Sequence, residues 1–275
     1  MDRRPVAVID SGIGGLPYLD WLQEHLPLER FVYVADRRNF PYGEKTPQRV
    51  REAVAQLSRD LLEHYQPKLM VVACNTASVL ALDHLRSVFP GPVVGVVPAV
   101  KTAAGRTRNG RIGVLATQRT IEGGYLERLV AEFCPGRQVS CWAAGDIVTL
   151  VEDDPLKPDP EARERILSHW ASVVREFGAD TLVLGCTHFL HVTRELQVHL
   201  GPEVVLLDSR EGVGRRVETL LDQGGLQSVA RSARSVLHFT ADPAWPEAEL
   251  AAHEGKYRHF AAQFGLEYGG PWSRA

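Results

Sequence analysis

Short runs of apolar, mostly β-branched residues recur along this chain and alternate with segments of helical period. The runs cover residues 6–9, 31–34, 69–72, 93–97, 112–115, 181–184 and 204–207. Continuous apolar runs are typical of strands in a parallel sheet that is covered on both faces. Apolar residues at helical spacing fall between them, for example within 50–65 and within 166–177. The pattern predicts an α/β chain with doubly wound parallel sheets.

Composition excludes several other classes of protein. The chain has 275 residues, of which 44% are hydrophobic and 24% charged, so neither a disordered chain nor a coiled coil is expected. A net charge of −3 gives no electrostatic reason to expect a nucleic-acid or membrane partner. No apolar run approaches the roughly 20 residues of a membrane span, and Asp10 interrupts the first run too early for a signal peptide. We expect a cytoplasmic protein.

Two distant parts of the chain resemble each other. Residues 69–78 read LMVVACNTAS and residues 181–190 read TLVLGCTHFL, each an apolar strand followed by a cysteine and by hydroxyl or amide side chains. A second pair places Asp-Ser after residues 6–9 and again after residues 204–207. These repeats predict two similar α/β lobes. Ligands of such folds bind beyond the carboxyl ends of the strands, where Cys74 and Cys186 fall.

Two loops after predicted strands could contribute to a binding site. Residues 10–17, DSGIGGLP, fail the dinucleotide pattern because position 17 is proline, and they lack the Gly-Lys-Ser/Thr of a P-loop. The turn could cradle an anion with its backbone N–H groups, or it could be purely structural; both interpretations stay open. Residues 36–46 contain Pro41-Tyr42-Gly43, whose turn chemistry would expose backbone amides at the same sheet edge.

The chain has four cysteines without the spacing of a disulfide scaffold or a metal site. Cys134 and Cys141 are interpreted as small buried apolar residues. Cys74 and Cys186 are each expected at a helix N-terminus, which favours the thiolate. Two such thiols suit a reaction in which one removes a proton from a carbon and the other delivers one to the opposite face.

The residues that follow these two cysteines suit such a reaction. Asn75, Thr76 and Thr187 can hydrogen-bond a carboxylate, and His188 is a candidate to handle protons. A ligand-binding module with inert thiols is the alternative from another class. Alkylation by iodoacetamide separates the two, because a binding module should keep its function whereas an enzyme should be protected by its substrate.

The chain resembles the glutamate racemases of the cofactor-independent aspartate/glutamate racemase family. The resemblance rests on four motifs in this order: DSGIGGL, PYG, ACNTAS and LGCTH. The resemblance runs from the first strand to at least Asp208-Ser209. It implies two pseudo-symmetric lobes with the active site in the cleft between them, and a final segment that returns to the first lobe. The implied lobes are residues 1–98 plus 208–275, on the Asp10 and Cys74 side, and residues 99–207, on the Cys186 and His188 side.

The resemblance also implies roles for individual residues. Cys74 and Cys186 would be the two bases, acting on D-glutamate and L-glutamate respectively, with Asp10, Glu152 and His188 assisting them. The substrate-binding residues would be Asp10, Ser11, Pro41, Tyr42, Gly43, Cys74, Asn75, Thr76, Thr117, Thr120, Cys186, Thr187 and His188. No metal site and no cofactor are implied.

The sequence departs from the family pattern in two segments. Ala144, Gly145 and Thr149 stand before Glu152 where the family has a cysteine-proline pair and a second proline, and Phe189-Leu190 replace Tyr-Pro after His188. The implied function is interconversion of L- and D-glutamate, which would supply D-glutamate for peptidoglycan synthesis and so for the cell wall and cell shape. An aspartate racemase, with a pocket one methylene shorter, is the alternative within the family. Glutamate is the expected partner, and a homodimer is left open.

Overall fold

The computed structural model describes residues 2–153, 158–230 and 233–272. Its strands are β1 Val6–Asp10, β2 Phe31–Ala35, β3 Leu69–Val72, β4 Val93–Gly95, β5 Arg111–Ala116, β6 Gln138–Ala143, β7 Thr181–Gly185, β8 Val205–Leu207, β9 Val236–Thr240 and β10 Glu267–Trp272. Its α-helices are α1 Leu16–His25, α2 Pro47–Tyr65, α3 Asn75–Val88, α4 Val100–Arg106, α5 Gln118–Glu122, α6 Tyr125–Phe133, α7 Gly145–Asp153, α8 Pro160–Phe177, α9 Thr193–Leu200, α10 Arg210–Gln223 and α11 Glu247–Gln263.

The chain divides into two compact units. Unit 1 comprises Met1–Val96 and Arg210–Ala275, and unit 2 comprises Val97–Ser209. The chain therefore leaves unit 1 and returns to it within two residues of the crossings expected at 98 and 208.

Unit 1 contains a six-stranded sheet in the order β10-β9-β2-β1-β3-β4, and all of its strand pairs are parallel. Its strands bury both faces, as the apolar runs predict. Ala7, Ile9 and Val72 join one hydrophobic cluster with residues of α2 and α3. Val8 and Tyr33 alternate with them along the strands and are also fully buried, on the side where α1 packs against β2 and α10.

Unit 2 contains a four-stranded sheet in the order β6-β5-β7-β8, again with parallel pairs throughout. Its core includes apolar residues of β5 and β7 together with α4 and α6. The doubly wound α/β prediction is confirmed, with parallel sheets and helices between the strands.

The two sheets share one connection pattern. The order β2-β1-β3-β4 in unit 1 matches β6-β5-β7-β8 in unit 2, so β3 corresponds to β7, as the repeated cysteine motif predicts. The repeated Asp-Ser pair is not a structural repeat. Asp10 ends the central strand β1, whereas Asp208 follows the edge strand β8, which corresponds to β4.

Every apolar run in the sequence forms a strand, and the predicted helices within 50–65 and 166–177 are α2 and α8. The sequence analysis missed β6, β9 and β10. β6 is a half-exposed edge strand, so its apolar content is diluted. β10 contains Gly269, Gly270 and Pro271, residues more typical of a turn. None of the helices in the described ranges has the length and apolar character needed to cross a membrane.

Candidate active site

The glycine-rich turn after β1 holds Asp10 at the carboxyl edge of the unit 1 sheet. Asp10 Oδ1 accepts the Gly12 N–H at 2.8 Å, and the Tyr33 hydroxyl donates to the Gly12 carbonyl at 2.8 Å. A Cβ on Gly15 would lie 2.8 Å from the Ala73 Cβ, so only glycine allows the turn to pack beside β3. Helix α1 has Pro17 in its first turn, and its N-cap is Gly15.

Cys74 lies at the same edge, immediately before helix α3. Its backbone is extended, with φ −143° and ψ 120°, and its carbonyl accepts the Ser78 N–H at 2.9 Å at the first helical turn. The thiol is therefore at a helix N-terminus, as predicted, and the residue is 6% exposed. Because Ile9 is in register with Val72, Asp10 is level with Ala73, and Cys74 follows one residue further along the neighbouring strand.

The Pro41-Tyr42-Gly43 loop begins a short 3₁₀ helix, Tyr42–Glu44, beyond the end of β2. The Tyr42 ring is buried in the cluster that contains Cys74. Burial raises the pKa of Tyr42 well above its usual range, and negative charge on Asp36, Cys74 and Asp10 adds to the effect. Tyr42 is thus close enough to Asp10 and Cys74 for their charges to act on its hydroxyl.

Asn75 and Thr76, the first residues of α3, are both 2% exposed. The Asn75 side-chain nitrogen and oxygen are buried without a hydrogen-bond partner among the described residues. A buried amide without partners costs about 1–3 kcal/mol, so it indicates a position completed by a ligand. A carboxylate or ammonium group would supply what the amide lacks.

In unit 2, Cys186 belongs to a buried chain of three side chains. Its Sγ lies 3.9 Å from His188 Nδ1, and His188 Nε2 lies 2.9 Å from Glu152 Oε2. Glu152, from α7, is fully buried. An ionised carboxylate only accepts hydrogen bonds, so it would place a proton on Nε2, and in the neutral ring Nδ1 then presents its lone pair to the thiol. This arrangement places a base beside the Cys186 thiol.

The helix N-terminus expected at Cys186 is that of a short 3₁₀ helix rather than of an α-helix. The cysteine precedes a 3₁₀ helix, Thr187–Val192, and α9 begins only at Thr193. The turn buries four consecutive side chains, residues 187–190, which a surface helix with one apolar face does not do. The group placed beside the Cys186 thiol is therefore His188 rather than the N-terminus of an α-helix.

The remaining predicted residues of unit 2 also lie at the carboxyl ends of its strands. Thr117 follows β5, caps α5 by accepting the Thr120 N–H, and has its hydroxyl 2.9 Å from that of Thr120. Thr187 directly follows Cys186 and is 1% exposed. The structure therefore collects Thr117, Thr120, Glu152, Cys186, Thr187 and His188 in unit 2, and Asp10, Ser11, Pro41, Tyr42, Gly43, Cys74, Asn75 and Thr76 in unit 1.

Sequence reasoning missed Asp36, a buried carboxylate that directly follows β2 and accepts a hydrogen bond from Tyr42 at 2.5 Å. Its position after a strand was the available signal. Burial raises the pKa of Asp36, and the hydrogen bonds from Tyr42, Thr240 and Asn39 oppose this shift. In the part of the chain that the structure describes, no group of three or more histidine, cysteine or acidic residues is placed to hold a metal ion.

The two buried cysteines at equivalent strand ends, one of them beside an imidazole and a buried carboxylate, suit proton-transfer chemistry. The family model for Asp/Glu/Hydantoin racemases matches residues 19–211. A glutamate racemase of Sphingopyxis alaskensis is 38% identical over 249 residues, which cover 90% of this chain and 92% of that protein.

Solved structures agree with this match. Escherichia coli glutamate racemase, in complex with L-glutamate and the activator UDP-MurNAc-ala, is 34% identical with a TM-score of 0.85, over 98% of each chain. Glutamate racemase of Francisella tularensis, in complex with D-glutamate, is 25% identical with a TM-score of 0.79, over 100% of this chain and 98% of that one. The chain belongs to the Asp/Glu/Hydantoin racemase family and is a racemase, an isomerase.

Proposed function

We propose that this racemase interconverts L- and D-glutamate by a two-base proton transfer that needs no cofactor. The observation that carries the proposal is the buried Cys186–His188–Glu152 chain, together with a second buried cysteine, Cys74, at the equivalent strand end of the other unit. Identities of 36–39% to proteins named glutamate racemase support glutamate as the substrate.

From L-glutamate, the reaction would start at Cys186. His188 Nδ1 accepts the thiol proton, and the Cys186 thiolate then removes the α-proton. The C–H bond breaks, its electron pair stays on the α-carbon, and the proton moves to sulfur. The Cys74 thiol donates its proton to the opposite face and leaves a thiolate, so the product is D-glutamate. The reverse reaction starts at Cys74, with Asp10 as its proposed helper.

The carbanion is the difficult point because an ionised carboxylate accepts little additional charge. Fixed hydrogen-bond donors around the α-carboxylate must therefore stabilise the transition state. We propose that Asn75, whose amide is buried without a partner, supplies one of them, with Thr76 and Thr187 beside the two cysteines. Ser11, Pro41, Gly43, Thr117 and Thr120 would complete the glutamate site.

We also propose that the D-glutamate produced supplies peptidoglycan synthesis and that the enzyme acts in the cytoplasm. The resemblance to glutamate racemases supports both statements. No lysine falls in the four motifs DSGIGGL, PYG, ACNTAS and LGCTH, which is why no Schiff base with pyridoxal phosphate is proposed.

The test follows the optical rotation of L-glutamate and of L-aspartate with purified, EDTA-treated and hydroxylamine-treated protein. We expect L-glutamate to lose its rotation, and kcat/KM for aspartate to be at least about tenfold lower. The shorter side chain of aspartate would leave the donors that bind the side-chain carboxylate of glutamate unpaired, which costs about 1–3 kcal/mol. Equal values for the two amino acids would indicate the aspartate alternative. Racemisation of neither, with binding that survives iodoacetamide, would indicate a binding module.

Deuterium exchange separates the two-base reaction from a one-base reaction. In D₂O the product should carry deuterium at the α-carbon from the first turnovers, because its proton comes from a thiol that has exchanged with solvent. A product that keeps the substrate's own proton would contradict two separate bases.

A further inference from the structure

Asp36 accepts hydrogen bonds from three side chains of unit 1, two in its own loop and one in β9. Its Oδ2 accepts the Tyr42 hydroxyl at 2.5 Å, and its Oδ1 accepts the Thr240 hydroxyl at 2.7 Å. The Asn39 amide donates to both oxygens, at 3.0 and 3.1 Å. The carboxylate is 2% exposed, so these neighbours, rather than water, solvate it.

The network reaches the predicted reacting groups through two connections. The Asp36 N–H donates to the Asp10 carbonyl at 2.7 Å, which fixes the start of the loop beside β1. The Tyr42 ring packs in the cluster that contains Cys74. A displacement of Tyr42 would therefore shift the Pro41-Tyr42-Gly43 loop and change the packing beside the Cys74 thiol.

Thr240 connects the network to the last part of the chain. It ends strand β9, about 200 residues after Tyr42, and its hydroxyl oxygen also accepts the Arg38 N–H at 3.0 Å. Because its hydroxyl donates to Asp36 and accepts from Arg38, Thr240 holds the loop from both sides of the carboxylate. Valine at this position has nearly the same shape and can make neither bond.

We propose that Asp36 is a positioning residue for glutamate binding: it holds Tyr42, and Thr240 holds it in turn. The inference rests on the proposed function, in which the Pro41-Tyr42-Gly43 loop contacts glutamate. A carboxylate only accepts, so the Tyr42 hydroxyl hydrogen is committed to Asp36. The phenolic oxygen then faces any other group only as an acceptor, which suits the ammonium group of glutamate and not its carboxylates.

The decisive experiment is a double-mutant cycle on Asp36→Asn and Tyr42→Phe, with kcat and KM measured for both enantiomers. Each single substitution should raise KM roughly tenfold, the effect of one lost hydrogen bond to a charged group. The double variant should be no worse than the poorer single variant by more than about twofold, because coupled residues are not additive. Effects that multiply to about one hundredfold would overturn the inference.

Thr240→Val and Thr240→Ser provide the second arm. Thr240→Val should raise KM several-fold for both enantiomers, whereas Thr240→Ser keeps the hydroxyl and should restore KM to near the wild-type value. A purely structural role would instead lower the fraction of active enzyme, so kcat would fall at unchanged KM along with the melting temperature. That outcome would also overturn the inference.

Wild-type activity separates the two levels of the argument. If the wild-type protein does not racemise glutamate, the proposed function fails and this inference fails with it. If the wild type is active but the cycle is additive or Thr240→Val leaves KM unchanged, only the role of Asp36 is wrong.

Discussion

The two units present their cysteines in the same way and support them differently. Cys74 and Cys186 are each 6% exposed, each follows the strand beside the central one, and each has an extended backbone, with φ near −140°. Cys186 is backed by an imidazole and a buried carboxylate from its own unit. Cys74 is the N-cap of α3. The carboxylate at the same sheet edge is Asp10, which accepts the Gly12 N–H of its own turn.

This difference shows that a repeated backbone need not give repeated chemistry. By topology, the position of Asp10 at the end of β1 corresponds to Ala116 at the end of β5. Unit 2 therefore has no carboxylate at that strand end, and the carboxylate that contacts His188 is Glu152, from α7. The enantiomers of glutamate have equal free energy, but in the proposed mechanism the two bases that act on them would be activated by different groups.

Removing either thiol should produce the largest effect. Cys74→Ala and Cys186→Ala should each reduce racemisation by more than about 10³-fold, because one face of the α-carbon then lacks its base or its donor. Initial rates by polarimetry measure this in both directions. Near-normal turnover in either variant would sink the two-base mechanism.

Cys134→Ala is the matched control for these variants. Cys134 is a buried cysteine in the core cluster of unit 2, and its pKa is raised by burial, so it remains a thiol at neutral pH. Its removal should lower stability slightly and leave kcat/KM near the wild-type value.

Replacing one helper on each side should reveal the asymmetry. The equilibrium constant between enantiomers is one, so kcat/KM must be equal in the two directions for every variant. A directional effect can appear only where kcat and KM change together. We expect Asp10→Asn and His188→Asn to skew the forward and reverse kcat values in opposite senses, with losses of about 10²–10⁴-fold.

The measurement is initial rate against concentration for both enantiomers. If both variants lose kcat equally in the two directions, the assignment of one helper to each cysteine is wrong. A variant with unequal kcat/KM in the two directions would reveal an error in the assay, since the equilibrium forbids it.

Substitution of Glu152 should have the same kind of effect on kcat as substitution of His188, but a smaller one. Glu152→Gln keeps the shape but removes the charge that holds the Nε2 proton, so we expect a loss of about tenfold or more with the same directional sense as His188→Asn. Glu122→Gln, on an exposed carboxylate of α5, is the control. A skew in the sense of Asp10→Asn would mean that Glu152 serves the other cysteine.

Much of this comparison could be predicted from the sequence. The apolar runs predict the strands because both faces of each central strand are buried, and the repeated cysteine motif predicts that β3 and β7 are equivalent. The Asp-Ser pair gave a wrong prediction of structural equivalence because two residues are too few to distinguish an edge strand from a central one.

The supporting contacts were less accessible because they join residues far apart in the chain. His188 and Glu152 are 36 positions apart, and Asp36 and Thr240 are 204 apart. The resemblance implies a role for Glu152, but no local pattern indicates Thr240, which lies in a strand with a histidine at its centre. Such pairings depend on the sheet order, which is known only once the fold is complete.

The smallest expected effect concerns β9 and β10, the strands of unit 1 that have no counterpart in the four-stranded sheet of unit 2. His238 of β9 lies between these strands and α2: its Nδ1 is 3.3 Å from the Gly270 carbonyl and its Nε2 is 2.7 Å from the Tyr65 hydroxyl. Since a carbonyl only accepts, Nδ1 carries the proton and Nε2 accepts from tyrosine. The neutral ring satisfies both contacts.

Burial lowers the pKa of His238 from its ordinary 6.5, and the positive charges of Arg30 and His64 lower it further. Hydrogen bonds with the backbone of Gly270 and Gly269 oppose this shift without cancelling it. The unfolded chain therefore binds this proton at a higher pH than the folded chain, so stability falls as pH drops below 6.5. The limiting slope is about 1.4 kcal/mol per pH unit. Denaturant unfolding at pH 7.5 and 5.5 should show a larger loss for wild type than for His238→Gln, which does not titrate. Equal losses would mean that the added strands of unit 1 are no more sensitive to pH than the rest of the molecule.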